Sequence, residues 1–252
     1  MKRYLIILAL VYLQTSVFGQ DDWQTYYEQS NFLETSRYKQ SMDYAKKLAE
    51  ASDFISYTTF GKSAQGRDLP LLIVDKNKNF TPESVKKSGN AFLLVQACIQ
   101  PGESEGKDAG FMLIRDIMIS KKYDDLLENT TLLFIPIFNT DGHERFSPYN
   151  RINQNGPKEY GFRGNARNFD LNRDFIKADT KNARAFAHIF HLVNPAIFID
   201  NHVSNGADYQ YGITHLFTQH NKLGNNLGEF MEAKMRPAIE ASLLKKEIPI
   251  TP

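Results

Sequence analysis

The sequence predicts an α/β fold with a largely parallel sheet. Three apolar runs carry that expectation: residues 91–99, 131–136 and 196–200. Each has strand length, is apolar almost throughout, and ends in a polar or turn-forming segment. Between them, residues 109–119 and 181–193 repeat apolar side chains at helical spacing. Strands that alternate with helices imply a parallel sheet sandwiched between helices.

The chain has 252 residues, enough for one large α/β domain or two small ones. Its net charge of +1 gives no reason to expect nucleic acid or an anionic membrane as partner. The one cysteine, Cys98, sits inside the first apolar run and reads as a small buried apolar residue. Met1-Lys2-Arg3 is followed by an apolar stretch over residues 4–12 and by Ser16-Val17-Phe18-Gly19. That layout predicts a signal peptide over residues 1–19, a mature domain over 20–252, and a secreted or periplasmic location. The apolar stretch is too short for a membrane-spanning helix, so no stable membrane insertion is expected.

The remaining elements follow in chain order. Trp23, Tyr26 and Tyr27 are expected to pack an edge of the domain. Residues 35–51 read as a helix, with Ser36 as cap and Tyr38, Met42, Ala45, Leu48 and Ala49 at helical spacing. Strands over 56–60 and 69–74 flank the turn Gly61-Lys62-Ser63-Ala64-Gln65-Gly66-Arg67. Its Gly-Lys-Ser triplet is not a phosphate-binding loop, which needs an earlier glycine and a following helix. Thr81-Pro82-Glu83-Ser84 opens the connection into the run at 91–99, and the helix after that run extends to about Ser120. Residues 126–129 link to the strand at 131–136. Residues 147–167 are polar and aperiodic, and so long a loop in a compact domain usually has a role. Pro195 stops the helix at 181–193, and the strand at 196–200 leads into Asn201-His202. A further strand is expected within 211–217, and a helix over 225–244 interrupted by Pro237.

Gln100-Pro101-Gly102-Glu103-Ser104-Glu105-Gly106-Lys107 lies just past the first run, where α/β sheets bind ligands. It resembles the zinc-site segment His-Pro-Gly-Glu-x-x-Gly-Lys of the carboxypeptidase A/B-like zinc metallocarboxypeptidases. Pro101, Gly102, Glu103, Gly106 and Lys107 match, while Gln100 stands where the family has its first ligand histidine. The hairpin turn at 61–67 is also similar to the family's. So are Pro136-Ile137-Phe138-Asn139-Thr140-Asp141-Gly142, Asp170-Leu171-Asn172-Arg173-Asp174-Phe175 and Asp200-Asn201-His202. The resemblance covers roughly residues 50–215.

It implies a mixed, mostly parallel, twisted sheet with helices on both faces, and one zinc ion. Glu103 and His202 are the implied metal ligands, with Gln100 a weak or lost third. Catalytic zinc takes three protein groups and keeps a place for water, and an amide oxygen replaces imidazole poorly. Arg163, in Phe162-Arg163-Gly164-Asn165, is implied to polarise the scissile carbonyl, with Arg151 as the alternative. Asn172 and Arg173 are implied to anchor the substrate carboxylate. Plainer readings stand beside these. Glu103 suits a helix N-terminus, His202 a hydrogen-bonded core position, and the arginines ties to Asp170 or Asp174. His143, His188, His191, His215 and His220 lack a comparable placement.

The family's general base is a glutamate on a later strand. Glu229, Glu232, Glu240 and Glu247 fall in the last helix or its tail, so none is assigned and the family domain is expected to be incomplete here. The resemblance thus implies a secreted metallocarboxypeptidase acting on C-terminal amide bonds. Its partners are peptides or peptidoglycan fragments with a free carboxylate, and Gln100 impairs it. The alternative is a non-catalytic carboxylate-binding module that has lost the metal. No Gly-x-Ser-x-Gly elbow supports a serine esterase.

Overall fold

The structure is a computed structural model that describes residues 23–251. The expected signal peptide, residues 1–19, lies outside the described residues. The chain forms two compact units, one ending at Val203 and one beginning at Ser204.

The first unit carries a five-stranded sheet. In chain order it contains helix α1 (Tyr38–Ala51), strands β1 (Ile55–Lys62), β2 (Asp68–Val74) and β3 (Ala91–Gln96), and helix α2 (Glu105–Met118). Strand β4 (Thr130–Ile135), helix α3 (Lys181–Val193) and strand β5 (Ile197–Asp200) follow. The strand order is β1-β2-β4-β3-β5. Strand β3 pairs parallel with both β4 and β5, while β2 is antiparallel to β1 and β4. The sheet is therefore mixed, with the parallel strands carrying the ends that matter for the site. Pro70 cannot donate to a ladder, and it lies in the part of β2 that pairs only with β1.

Side chains alternate across the sheet and fill two cores. On one face Leu72, Val74, Leu132 and Phe134 pack with Met42, Ala45 and Leu48 of α1 and Phe111, Ile114 and Ile117 of α2. On the other, Leu71, Leu94, Leu133 and Ile135 pack with Phe186, Ile189 and Val193 of α3. Helices thus cover both faces, as expected. Trp23 packs against the first cluster, and Cys98 is fully buried, its thiol pushed up to about 12 by burial.

Several boundaries differ from the sequence reading. The first run stops being strand at Gln96, because the backbone turns at Cys98, whose φ is +56°. The strand at 197–200 is not buried: Ile197, Phe198 and Ile199 are 38%, 36% and 42% exposed. Among the described residues it pairs on one side only, with β3, at the end of the strand order. Helix α3 keeps its predicted bounds because both ends are marked. The Thr180 hydroxyl accepts from the Ala183 N–H, and Asn194 turns left-handed at the other end.

In the second unit the expected strand over 211–217 shrinks to Ile213–Thr214, paired parallel with Ile250–Thr251. The expected helix runs from Asn225 to Leu244 but widens into a π-helical turn over Met231–Met235. That turn lies just before Pro237, which removes one i→i−4 hydrogen bond.

Candidate functional site

The site forms where two neighbouring parallel strands end. Gln96 of β3 stands opposite Asp200 of β5. Beyond Gln96 the chain turns through Cys98, whose carbonyl accepts from the Asn139 N–H and whose thiol donates to the Glu103 carbonyl. The Glu103 N–H bonds back to the Gln100 carbonyl at 2.8 Å, closing a tight turn that aims Glu103 inward. Beyond Asp200, the Asn201 N–H and side-chain amide both donate to the Gln96 carbonyl at 2.9 Å. Gly106 lets α2 approach this end, since a Cβ there would stand 2.3 Å from that of Asn201.

Two of the predicted ligands meet as a result. Oε2 of Glu103 lies 2.8 Å from Nδ1 of His202, although 99 residues separate them. The Glu103 side chain is 1% exposed. Its Oε2 also accepts from the Val203 N–H at 3.1 Å, and its Oε1 accepts from Nη1 of Arg151 at 2.8 Å. On its far side His202 presents Nε2 to Oδ2 of Asp200 at 3.0 Å. The hydrogen bond to Asp200 and then that to Glu103 push the imidazole up to about 10, against its partial burial. Arg151, Glu103, His202 and Asp200 therefore form a chain of alternating charge.

Gln100 is turned toward a different partner. Its Nε2 donates to both carboxylate oxygens of Asp170, at 3.2 and 3.3 Å. Asp170 Oδ2 also takes Nε of Arg163 at 3.0 Å and Nη2 at 2.9 Å, and its Oδ1 caps the Asn172 N–H at 3.0 Å. Burial pushes the Asp170 carboxyl up, but the bonds from Gln100 and Arg163 outweigh it and hold the group below its ordinary value. Arg163 is thus ion-paired within the loop. Asn172 and Arg173 sit in a short 3₁₀ turn, Leu171–Arg173. Arg173 is exposed and donates Nη1 to the Asn172 carbonyl at 3.2 Å. Asp174 serves instead as a local cap, accepting from the backbone of Asp179 and Thr180.

Sequence reasoning passed over three partners. Asp200 is the Nε2 partner of His202, and only its place two residues earlier hinted at that. Arg151 comes from an aperiodic loop, which offers no pattern to read. The hairpin turn binds a family-like residue: Ser63, the Gln65 N–H and Arg67 all donate to Asp141. Nearby, the fully buried Lys107 uses its ammonium on the Ser36 carbonyl at 2.6 Å, the Ser36 hydroxyl at 3.1 Å and Nε2 of His143 at 3.4 Å.

The donor set falls short of the zinc site that the resemblance implies. Glu103 and His202 supply a carboxylate and an imidazole. Each nitrogen of that imidazole, however, faces a carboxylate oxygen, and Gln100 offers only an amide oxygen with its nitrogen committed to Asp170. Among the described residues, no three His, Cys, Asp or Glu side chains are grouped to hold a metal ion. Three strong protein donors are what a catalytic zinc needs.

Comparison with known proteins bears on the same stretch. The zinc carboxypeptidase family profile matches residues 41–195, which include Gln100, Glu103, Arg163, Asn172 and Arg173 and stop before His202. Carboxypeptidase 2 of Trichophyton equinum is 27% identical over 163 residues, covering 63% of this chain and 27% of that protein. Carboxypeptidase 2 of Trichophyton rubrum is 25% identical over 161 residues, again 63% and 27%. The chain thus spans about a quarter of the length of these curated relatives. Among solved structures, a metallo-carboxypeptidase from Burkholderia cenocepacia superposes with a TM-score of 0.52 at 18% identity, over 68% of this chain and 42% of that one. Bovine thrombin-activatable fibrinolysis inhibitor, in complex with tick carboxypeptidase inhibitor, gives 0.52 at 14% identity, over 67% and 60%. At such identities the structural likeness is one of fold, and it is the profile match over most of the first unit that places this chain in the zinc carboxypeptidase family.

Proposed function

We propose that this chain is an exported, metallocarboxypeptidase-like protein that recognises a substrate's terminal carboxylate. Its substrates are C-terminal amide bonds of peptides or of peptidoglycan fragments. One observation carries the reading. Of the three arginines around the site, Arg151 and Arg163 are ion-paired to Glu103 and Asp170, whereas Arg173 is exposed and pairs with no carboxylate among the described residues. Its planar fork remains available for a substrate's terminal carboxylate, with Asn172 beside it. Export is supported by the charged start and apolar stretch of the first nineteen residues.

The zinc ion implied by the family would take Glu103 and His202, with the Gln100 oxygen as a weak third donor. That set supports no hydrolytic step through the ion, so this chain's reaction is impaired. A second reading, a binding module without catalysis, draws on one further observation: Asp170 holds the Gln100 amide nitrogen.

Calorimetric titration tests the carboxylate anchor. Arg173→Ala should weaken binding of a short peptide with a free C-terminus by roughly 1.5–3 kcal/mol, the scale of a charge-assisted hydrogen bond. Binding of the same peptide with an amidated C-terminus should not change. Equal affinity of wild type and variant for the free peptide contradicts the assignment.

A further inference from the structure

Glu103 is a buried carboxylate, and such a group needs opposite charge or several donors. Part of that need is met by Arg151, whose Nη1 lies 2.8 Å from Oε1. The seat of this arginine is built by its surroundings. Its aliphatic stem crosses Gly102, where a Cβ would stand 2.3 Å from Cδ and 2.8 Å from Cγ. Any side chain at position 102 would displace it. From the other side, the hydroxyl of buried Tyr160 lies 2.9 Å from the carbonyls of Pro148 and Arg151 and fixes the backbone of that segment.

We propose that Arg151 supplies at Glu103 the positive charge that a zinc ion supplies in the family, so that guanidinium and divalent cation compete for one carboxylate. The inference rests on reading Glu103 and His202 as the family's ligand positions. A guanidinium stays protonated at any working pH, so it cannot yield to a metal by releasing a proton. It must swing away from Glu103, or a cation bound there stands against a like charge at short range. Gln100 fits the same account. A carboxylate already neutralised by arginine leaves no demand for a third strong metal donor beside it.

The test is zinc titration of the metal-stripped full chain against a chromophoric chelator, comparing wild type, Arg151→Gln and Arg151→Lys. Arg151→Gln keeps a neutral donor and removes the charge. It should bind zinc at least ~10-fold more tightly, a modest share of the repulsion between close charges. Arg151→Lys keeps the charge and should stay near wild type. If Arg151→Gln loses its cooperative thermal transition, Gly102→Ala decides instead, because it displaces the arginine without deleting it and should also tighten zinc. Zinc affinity that rises in neither variant overturns the proposal. The peptide affinity of Arg173→Ala is a separate measurement, so failure here is distinguishable from failure of carboxylate anchoring.

Discussion

The Gln100 amide nitrogen reaches both oxygens of Asp170, at 3.2 and 3.3 Å, across 70 residues of sequence. The bond fixes which end of the amide faces the loop. It also joins the turn after β3 to the loop that carries Arg163, because the same carboxylate receives the Arg163 guanidinium. Asp170 is therefore the point where the turn after β3 and the loop of Arg163 are tied together.

Asp170→Asn tests that tie. The variant keeps the shape but loses the charge and turns an N–H₂ toward Gln100 or Arg163. Stability in urea should fall by roughly 1.5–3 kcal/mol, the value of hydrogen bonds to a charged group. A midpoint shift worth less than ~0.5 kcal/mol, the scale of an inconsequential surface change, contradicts the role.

Acid sensitivity should come from His143 and Glu144. Burial, and then the nearby Lys107 charge, lower the His143 pKa from 6.5 to about 4. Lys107 donates to Nε2 and Glu144 faces Nδ1, which suits the neutral ring with its proton on Nδ1. Between those two values the unfolded chain binds a proton that the folded chain refuses. The His143 contribution is thus full above 6.5 and lost as pH falls toward 4. Glu144, held at about 2 chiefly by its bond to His143, adds a second loss as pH falls below 4.5. His143→Gln can still accept from Lys107 and donate to Glu144. Its melting temperature should fall less than that of wild type between about pH 7 and pH 5. Parallel pH curves for the two proteins contradict this account.

Much of the site's frame was legible because it depends on local patterns. Apolar runs ending in Gln100–Glu103 and Asn201-His202 mark strand ends, and parallel strand ends in one sheet bring such residues together. The bounds of α3 were legible because apolar residues recur at helical spacing over 181–193 and Pro195 stops the helix. The exposure of β5 was not, since an apolar run records what a strand favours and not how many neighbours it has. The pairing of Arg151 with Glu103 was not legible either, although Arg151 itself stood as the alternative to Arg163. Its partner Glu103 is 48 residues away, and the loop that carries Arg151 has no periodicity to fix a direction. Lys107 looked like a motif residue, yet its ammonium is spent on Ser36 and His143, which no spacing rule connects.

The central claim is that residue 100 stands at the family's first ligand position and that glutamine there weakens the metal site. Competitive zinc titration of wild type and Gln100→His against a chromophoric chelator tests it most directly. Histidine would complete a set of two imidazoles and one carboxylate. Zinc affinity should rise by at least the order of 10–100-fold, the range that even outer-shell changes reach. If wild type already binds one zinc tightly and Gln100→His binds no tighter, Gln100 is not at a ligand position, and the assignments of Glu103 and His202 fall with it.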